Sequence, residues 1–516
     1  MLKSSGAMAV ATMMSRVLGM VRVILLAQFF GTSVVAGAFT FAFSIPNLFR
    51  RLLGEGALTA AFIPIFKEYE AKEGESAMWR VANVVISALM AVSVLIVLLV
   101  MVGLSLAIAS DVFSDHFLLV MKLTRVMFPY MMMICLAAIF MGMLNSRGQF
   151  FLPALAGTLL NFVLIPTIVF VAPRWGVELD EQVFALGYGV LVAGCIQMFY
   201  MLPNLRREGF RYQWINPIGN PMVKEVWNRM LPGLLGVAAF QINVFLTSAI
   251  AAGVDLEILA SWEYAVRLFE LPQGVFGVSL ATFLLPTLAG LAAKKKMPEF
   301  KQTLTQGLGY VVFINALMGG FLLILAEPMV RLLFERGRFD AESTVRAASA
   351  LQWLGLALVP YSVNSILSRA FFAVGDTRTP MRLSAGCLIL NLVTTCVLIG
   401  PYQEAGLAIS NCITSLLNTV LLVIALRRKI GSIGLRGLIA MVLQVICALA
   451  ISLFIGWFLH GWWLHRFGNE TLVLRIGEVF VPLGLIGLSY MLFAFSLKMP
   501  VAREFFTIVT RRLKRN

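Results

Sequence analysis

About fourteen apolar runs, each long enough to cross a bilayer as a helix, follow one another along this chain. They occupy residues 7–30, 33–53, 81–110, 117–143, 152–172, 183–203, 227–252, 258–291, 305–334, 346–373, 380–400, 404–426, 437–460 and 474–497. A spanning helix needs about 20 predominantly apolar residues. Hydrocarbon offers no partner to open backbone groups, so each run must close its hydrogen bonds internally as a helix. Barrel strands would be half as long and would alternate in polarity. The second and eighth runs carry charges and prolines inside them. With 60% hydrophobic and 13% charged residues, the 516-residue chain has more apolar surface than a soluble core could hide. The expected fold class is an all-α polytopic membrane protein of about 14 transmembrane helices.

The net charge of +15 does not point to nucleic acid. The cations sit in alternate connectors: Arg147; Arg206, Arg207, Arg211, Lys224 and Arg229; Lys294, Lys295, Lys296 and Lys301; Arg378 and Arg382; Arg427, Arg428, Lys429 and Arg436. Lys3 and the tail residues Lys498, Arg503, Arg511, Arg512, Lys514 and Arg515 fall on the same side. The opposite connectors are poorer in Lys and Arg, apart from Arg331, Arg336 and Arg338, and two of them are acidic, Asp111–Asp115 and Glu178–Glu181. This asymmetry places both termini in the cytoplasm, which agrees with an even number of spans. The first apolar run continues past Gly31 without a convincing cleavage site, so no cleavable signal peptide is expected. Cys135, Cys195, Cys387, Cys396, Cys412 and Cys447 all lie inside apolar runs and read as small buried hydrophobes. His116, His460 and His465 lie near helix ends and form no cluster. No acid pair, nucleophile triad or metal-ligand spacing appears, so neither catalysis nor a cofactor is expected.

An internal repeat divides the chain. Phe128-Pro129-Tyr130 leads through Asn145-Ser146-Arg147-Gly148 to Leu160-Asn161-Phe162. Val359-Pro360-Tyr361 leads through Gly375-Asp376-Thr377-Arg378 to Leu390-Asn391-Leu392. The proline-to-asparagine spacing is 32 residues in the first copy and 31 in the second. Six spans separate the copies, so both have the same orientation, as in two parallel lobes with a site between them. The expected organisation is an N-terminal lobe over 1–210 (helices one to six), a C-terminal lobe over 211–430 (helices seven to twelve), and helices thirteen and fourteen with a basic tail over 431–516.

Arg16 and Arg22 stand inside the first run, Arg50 and Arg51 near the end of the second, and Arg267 inside the eighth. Ionisable groups at membrane depth are expensive and face a cavity or a partner. Arg16 and Arg22 are about 120° apart around a helix, at roughly 100° per residue, so they fit two walls of one cavity. The first run contains no acid to neutralise them. Cations lining a cavity call for an anionic ligand, and guanidinium suits phosphate because its planar fork stays charged when desolvated. Each of these arginines keeps a structural alternative, snorkelling to the headgroups or pairing with an acid, and for two of them an acid is close at hand. Arg267 has Glu263 and Glu270 within one turn, and Arg51 has Glu55 four residues on.

Five ordered motifs carry a resemblance that covers nearly the whole chain. They are Ser15-Arg16-Val17-Leu18-Gly19-Met20-Val21-Arg22, the stretch from Pro46-Asn47 to Gly56-Ala57, the stretch from Arg267 to Val278, Phe334-Glu335-Arg336-Gly337-Arg338-Phe339, and the stretch from Ser368 to Thr377. The chain resembles the MurJ (MviN) family of lipid II flippases in the MOP exporter superfamily. The resemblance implies two pseudo-symmetric six-helix lobes around a cavity, MATE-like, plus two C-terminal helices that form a groove for a lipid tail. It implies lipid II, an undecaprenyl-diphosphate-linked muropeptide, as substrate, moved by alternating access across the bacterial inner membrane. Arg16, Arg22, Arg50 and Arg267 would bind it, with Ser15, Asn47, Arg51, Glu55, Glu263 and Glu270 in supporting or gating places. Membrane lipids and peptidoglycan synthases are the implied associates.

The chain also departs from the family pattern. Val23, Gly37 and Val266 stand where acids are common, and Ser44 where a basic residue is common, so fewer charges remain for gating ion pairs. Membrane potential is the implied driver. Members with a sodium site use acids on helices seven and eleven, where this chain has Gln241, Asn243, Thr247, Asn391 and Thr395, which leaves sodium coupling doubtful. A flippase for another undecaprenyl-linked glycan shares the architecture. A MATE-like cation or drug antiporter would need membrane-embedded acids. A lipid II-binding scaffold would bind without moving the headgroup.

Overall fold

The chain's computed structural model describes residues 2–52, 58–110, 112–432 and 434–504, and these are almost entirely helical. Glu55 with its neighbours Gly54 and Gly56, Asp111 of the acidic connector, and the tail cations Arg511, Arg512, Lys514 and Arg515 lie outside the described residues. Among the described residues there is no strand.

The first compact unit covers Met1–Ala260. Its helices are α1 (Leu2–Phe30), α2 (Val34–Phe49), α3 (Leu58–Glu73), α4 (Glu75–Ala109), α5 (Asp115–Met127), α6 (Tyr130–Ser146), α7 (Phe151–Pro166), α8 (Ala172–Trp175), α9 (Leu179–Phe199), α10 (Leu202–Arg207), α11 (Pro221–Val254) and the start of α12 (Leu256–Pro272). Local chemistry sets several of these starts. Ser33 accepts a hydrogen bond from the Ala36 amide at the head of α2, and Asn220 accepts one from the Met222 amide with Pro221 at the first helical position of α11. Helix α1 packs along α7, and α2 packs on α5 and α11.

The second unit covers Ser261–Asn516. It holds the rest of α12, then α13 (Ser279–Ala293), α14 (Met297–Ile324), α15 (Ala326–Phe334), α16 (Ala341–Ala373), α17 (Arg378–Ile430), α18 (Leu435–Phe467) and α19 (Leu472–Ser496). Asp340 caps α16 by accepting from the Ser343 amide at 2.8 Å. Helices α14 and α16 cross at paired glycines. A Cβ on Gly319 would lie 2.4 Å from the Gly355 carbonyl oxygen, and one on Gly355 would lie 2.8 Å from the Gly319 oxygen. Such small-residue crossings let membrane helices approach backbone to backbone. The two last helices pack within this unit. Tyr490 on α19 is fully buried and donates to the Phe313 carbonyl on α14 at 3.0 Å.

Among the described residues, ten helices are long and apolar enough to cross a membrane, or eleven if α5 and α6, bent by 41° at Phe128-Pro129, make one span. The remaining expected runs are helical as well but fail that length test for specific reasons. Helix α2 has only 16 residues. The apolar part of α11, Phe240–Val254, is shorter than the 18 residues the test requires. Helix α17, at 53 residues, contains two expected runs. It breaks at Gln403, whose φ of 48° is not helical, and Asn391 then donates to Ser410 at 3.1 Å, so the two halves lie side by side. Glu404 after the break is buried and accepts from Arg346 Nε on α16 at 2.6 Å.

The repeat read from sequence has a structural counterpart in each unit. Tyr130 donates to Gln197 on α9 at 3.3 Å, and Tyr361 donates to Asn411 in the second half of α17 at 2.8 Å. Each Pro-Tyr therefore ties its helix, through an amide, to the sixth expected span of its own half.

A charged network joins α15 to the final helical pair. Arg331 donates to Glu327 and, at 2.9 Å, to Glu478, whose side chain is fully buried, and Glu335 also accepts from Arg475 at 3.0 Å. His460 lies 3.1 Å from Glu478. Removing one partner of a buried ion pair leaves the other charge uncompensated and costs about 3–5 kcal/mol. Arg331→Ala is therefore expected to lower the thermal midpoint of the purified protein clearly. Arg331→Met with Glu478→Gln is expected to recover most of the loss, and a double variant no better than the single would remove the ion-pair explanation.

Candidate functional site

Three of the four arginines expected to bind substrate belong to the first unit. Arg16 is exposed on α1, while Arg22 and Arg50 are half-buried. The motif around Arg16 is seated by α7. Asn161, the residue that closes the first repeat, donates to the Ser15 carbonyl at 3.3 Å. A Cβ on Gly157 would meet the Ser15 hydroxyl at 3.2 Å, so α1 and α7 run in close contact at this level. Ser15 thus supports the helix contact next to Arg16.

Arg50 stands at the C-terminal end of α2. Phe49 beside it meets Phe128 edge-on, with ring centroids 5.9 Å apart, at the α5–α6 bend. Phe128, Met131 and Cys135 form a small buried core there, against which Ile45 and Phe49 pack. Asn47, one turn earlier, accepts from Arg50 Nε at 2.6 Å. With one nitrogen engaged, the guanidinium's orientation is restricted. Arg51 donates to Gln241 on α11 at 3.3 Å. The pairing expected with Glu55 falls on a residue outside those described.

Arg267 is in the second unit and donates to Glu270 at 3.0 Å, with both side chains two-fifths or more exposed. The structural alternative kept open for this arginine is therefore the contact the fold displays. Glu263 is half-buried on the same helix.

Two of the positions that depart from the family pattern, Val23 and Gly37, have packing reasons. Val23 is buried at 7% exposure, where an unpaired acid would be desolvated. Gly37 is pressed against the start of α12, and a Cβ there would lie 2.0 Å from the Leu256 carbonyl oxygen. Val266 is partly exposed, and the structure gives no packing reason for it.

Several polar clusters escaped the sequence reading. Arg147 donates to Glu70 at 2.7 Å, Glu75 at 2.8 Å and Glu208 at 3.0 Å, with Trp79 stacked 5.9 Å away. Lys67, and after it Arg147, hold the Glu70 carboxyl below its ordinary range. Lys429 and Thr379 hold Asp376, in the connector before α17, far below its own. His460, read as isolated, lies against Glu478. The three carboxylates on Arg147 are 61 to 77 positions from it, Lys429 is 53 from Asp376, and His460 and Glu478 are 18 apart but on different helices. Only the charged residues inside apolar runs, such as Glu478, gave any signal. A cavity of about 350 Å³ in the first unit, lined by Phe41, His116, Phe117, Val120, Asp255 and Leu256 among others, contains none of the candidate arginines. Among the described residues, no group of three or more His, Cys, Asp or Glu side chains is placed to hold a metal.

The chain is thus an all-helical membrane protein with repeated halves and arginines on its first two helices. Its fold matches the solved "Lipid II flippase MurJ, inward closed conformation" with a TM-score of 0.78 over 95% of this chain and 99% of that one, at 22% identity. It also matches an inward-facing multidrug MATE transporter of the MOP superfamily, with a TM-score of 0.62 over 83% and 98% at 14% identity. The family described as "Lipid II flippase MurJ" matches residues 26–477. The Burkholderia cenocepacia "Lipid II flippase MurJ" is 34% identical over 81% of this chain and 82% of its own. The Buchnera aphidicola "Probable lipid II flippase MurJ" is 30% identical over 93% and 94%. The chain belongs to the MurJ lipid II flippase family.

Proposed function

We propose that this protein flips lipid II from the cytoplasmic to the periplasmic leaflet of the bacterial inner membrane, with both termini in the cytoplasm. The observation that carries the reading is the set of guanidiniums on α1 and at the end of α2, in a chain of this family. The diphosphate of lipid II is the anion they fit. Arg16 and Arg22 bind the headgroup from α1, and Arg50, oriented by Asn47, binds it from the end of α2. In the second unit, Arg267 is a further proposed phosphate ligand, once it exchanges Glu270 for phosphate oxygens. Alternating access then moves the headgroup while the polyprenyl tail stays in lipid. The protein makes and breaks no covalent bond and needs no cofactor.

Membrane potential is the proposed driver. At the positions where sodium-coupled members place acids, Asn391 donates to Ser410 and Thr414, and Thr395 donates to Ser410, all of them neutral groups. Neutral amides and hydroxyls bound to one another attract a cation weakly compared with carboxylates, which supports a sodium-independent cycle. Peptidoglycan synthases remain the proposed functional associates.

The test is replacement. A host depleted of its own lipid II flippase and supplied with this chain is expected to regain lipid II on the outer leaflet. A well-inserted chain that restores nothing, yet binds a different undecaprenyl-linked glycan in headgroup competition, would transfer the reading to that glycan.

A further inference from the structure

We propose that the connector between α10 and α11, residues 208–217, is a docking surface for the anionic phospholipid headgroups of the leaflet beside it. The proposal rests on the membrane orientation given above, and its experiment reads lipid contact and not flipping, so either can fail alone.

The connector is not a free loop. Glu208 accepts from Arg147 Nε at 3.0 Å and from Gln149 at 2.6 Å. Gly209 turns the chain with a φ of 94°, a conformation that favours glycine. Phe210 is buried against Trp79 and Phe140, with ring centroids 5.6 and 6.3 Å away. The backbone then runs extended along α4. Asn83 donates to the Arg211 carbonyl at 3.1 Å and accepts from the Gln213 amide at 3.3 Å, as a neighbouring strand would. One turn further on, the Ser87 hydroxyl accepts from the Ile215 amide at 3.3 Å and lies 3.2 Å from the Tyr212 hydroxyl. Asn83 and Ser87 are both buried. Two buried polar residues in an apolar helix thus satisfy the backbone of a segment that has no secondary structure of its own.

This anchoring fixes what points outward. Tyr212 is 43% exposed and Trp214 59%, beside exposed Arg211 and close in sequence to exposed Arg206, Arg207 and Lys224. The depth suits headgroups. Helix α4 has 35 residues, about 52 Å at 1.5 Å per residue, against about 30 Å of hydrocarbon. Asn83 and Ser87 lie about 12 and 18 Å from its Glu75 end, within the roughly 22 Å of excess when the hydrocarbon is counted from the Ala109 end. Trp and Tyr at this level are interfacial anchors, and arginines beside them attract acidic lipid. No other partner fits both features as simply: a protein partner explains the cations but not their placement at headgroup depth.

The experiment reconstitutes the full chain in phosphatidylcholine vesicles containing a small fraction of bromine-labelled lipid. Quenching of tryptophan emission by labelled phosphatidylglycerol is compared with quenching by labelled phosphatidylcholine. The parent is expected to favour phosphatidylglycerol by about fivefold, the factor worth roughly one charge at an anionic surface. Trp214→Phe should remove most of the selective part, and Arg206→Gln with Arg207→Gln and Arg211→Gln should abolish the preference. If the triple variant does not insert, Arg211→Gln alone must still reduce it. Equal quenching by the two lipids in the parent, or an unchanged preference in the arginine variants, overturns the proposal. So does displacement by lipid-linked diphosphate at levels where phosphatidylglycerol does not compete, because the surface would then belong to the substrate.

Discussion

Arg50→Ala is expected to cut lipid II flipping by about tenfold or more while leaving the protein inserted at normal levels. The reasoning starts from geometry. Arg50 ends α2, with Phe49 wedged against Phe128 and Nε bound to Asn47, so the head is held in place without a buried core depending on it. Hydrogen bonds between charged groups contribute about 1.5–3 kcal/mol each, and 1.4 kcal/mol is a factor of ten in affinity. Arg50→Lys keeps the charge and loses the planar fork, so it should fall between parent and alanine. Asn47→Ala should show a smaller loss than Arg50→Ala, because it releases the guanidinium's orientation without removing it. Arg16→Ala and Arg22→Ala belong in the strong class. Arg267→Ala belongs in a weaker one, since Arg267 is half-exposed and holds Glu270. The measurement is outer-leaflet lipid II in cells that depend on the variant, alongside its membrane level. Full activity in all four alanine variants would remove the cationic-site explanation.

How much of this was legible beforehand depends on the range of the interaction. Apolar length and the absence of backbone partners in hydrocarbon dictate helices, so each expected run is helical. The splitting of α17 at Gln403 was placed by the short polar interval between two runs. The repeat was legible because Pro129 with Tyr130, and Pro360 with Tyr361, recur at nearly constant spacing. Their roles, bonds to Gln197 and Asn411, were not. Charged residues inside runs flagged the candidate arginines, but a sequence does not state which carboxylate reaches which cation. Arg267 to Glu270 lies within one turn and was foreseeable. Arg147 with Glu208, Arg331 with Glu478 and Arg346 with Glu404 join helices far apart in sequence, and no periodicity reports such pairs. Likewise, the last two helices lie outside the repeat, and nothing in the sequence reports that Tyr490 and Glu478 tie them to α14 and α15.

Gly37→Asp would restore an acid common in the family, and it is expected to damage this protein. The Cβ of any residue at 37 would lie 2.0 Å from the Leu256 carbonyl oxygen and 2.9 Å from the Leu256 Cβ. Backbone, not a flexible side-chain end, occupies that space, so α2 and the start of α12 must separate. Overpacking of this kind costs about 1–3 kcal/mol, occasionally more. The carboxylate adds a second cost. Gly37 is buried, the nearest group is a carbonyl oxygen that repels it, and a buried anion without a donor is strongly disfavoured. Gly37→Ala should therefore lower the thermal midpoint in detergent by a measurable step, and Gly37→Asp by a larger one with loss of monodisperse protein. Gly37→Ser, nearly as small as alanine and able to donate to the Leu256 oxygen once the helices have moved apart, should resemble alanine. The order separates the two causes: equal damage from alanine and aspartate assigns the effect to volume alone. An unchanged midpoint for all three would mean that α2 and α12 stand further apart than the glycine contact requires. In the expected case, this chain holds a tight helix contact where the resemblance implies a gating acid, and the proposed access cycle would rely more on the arginines of α1 and α2 than on ion pairs to an acid on α2.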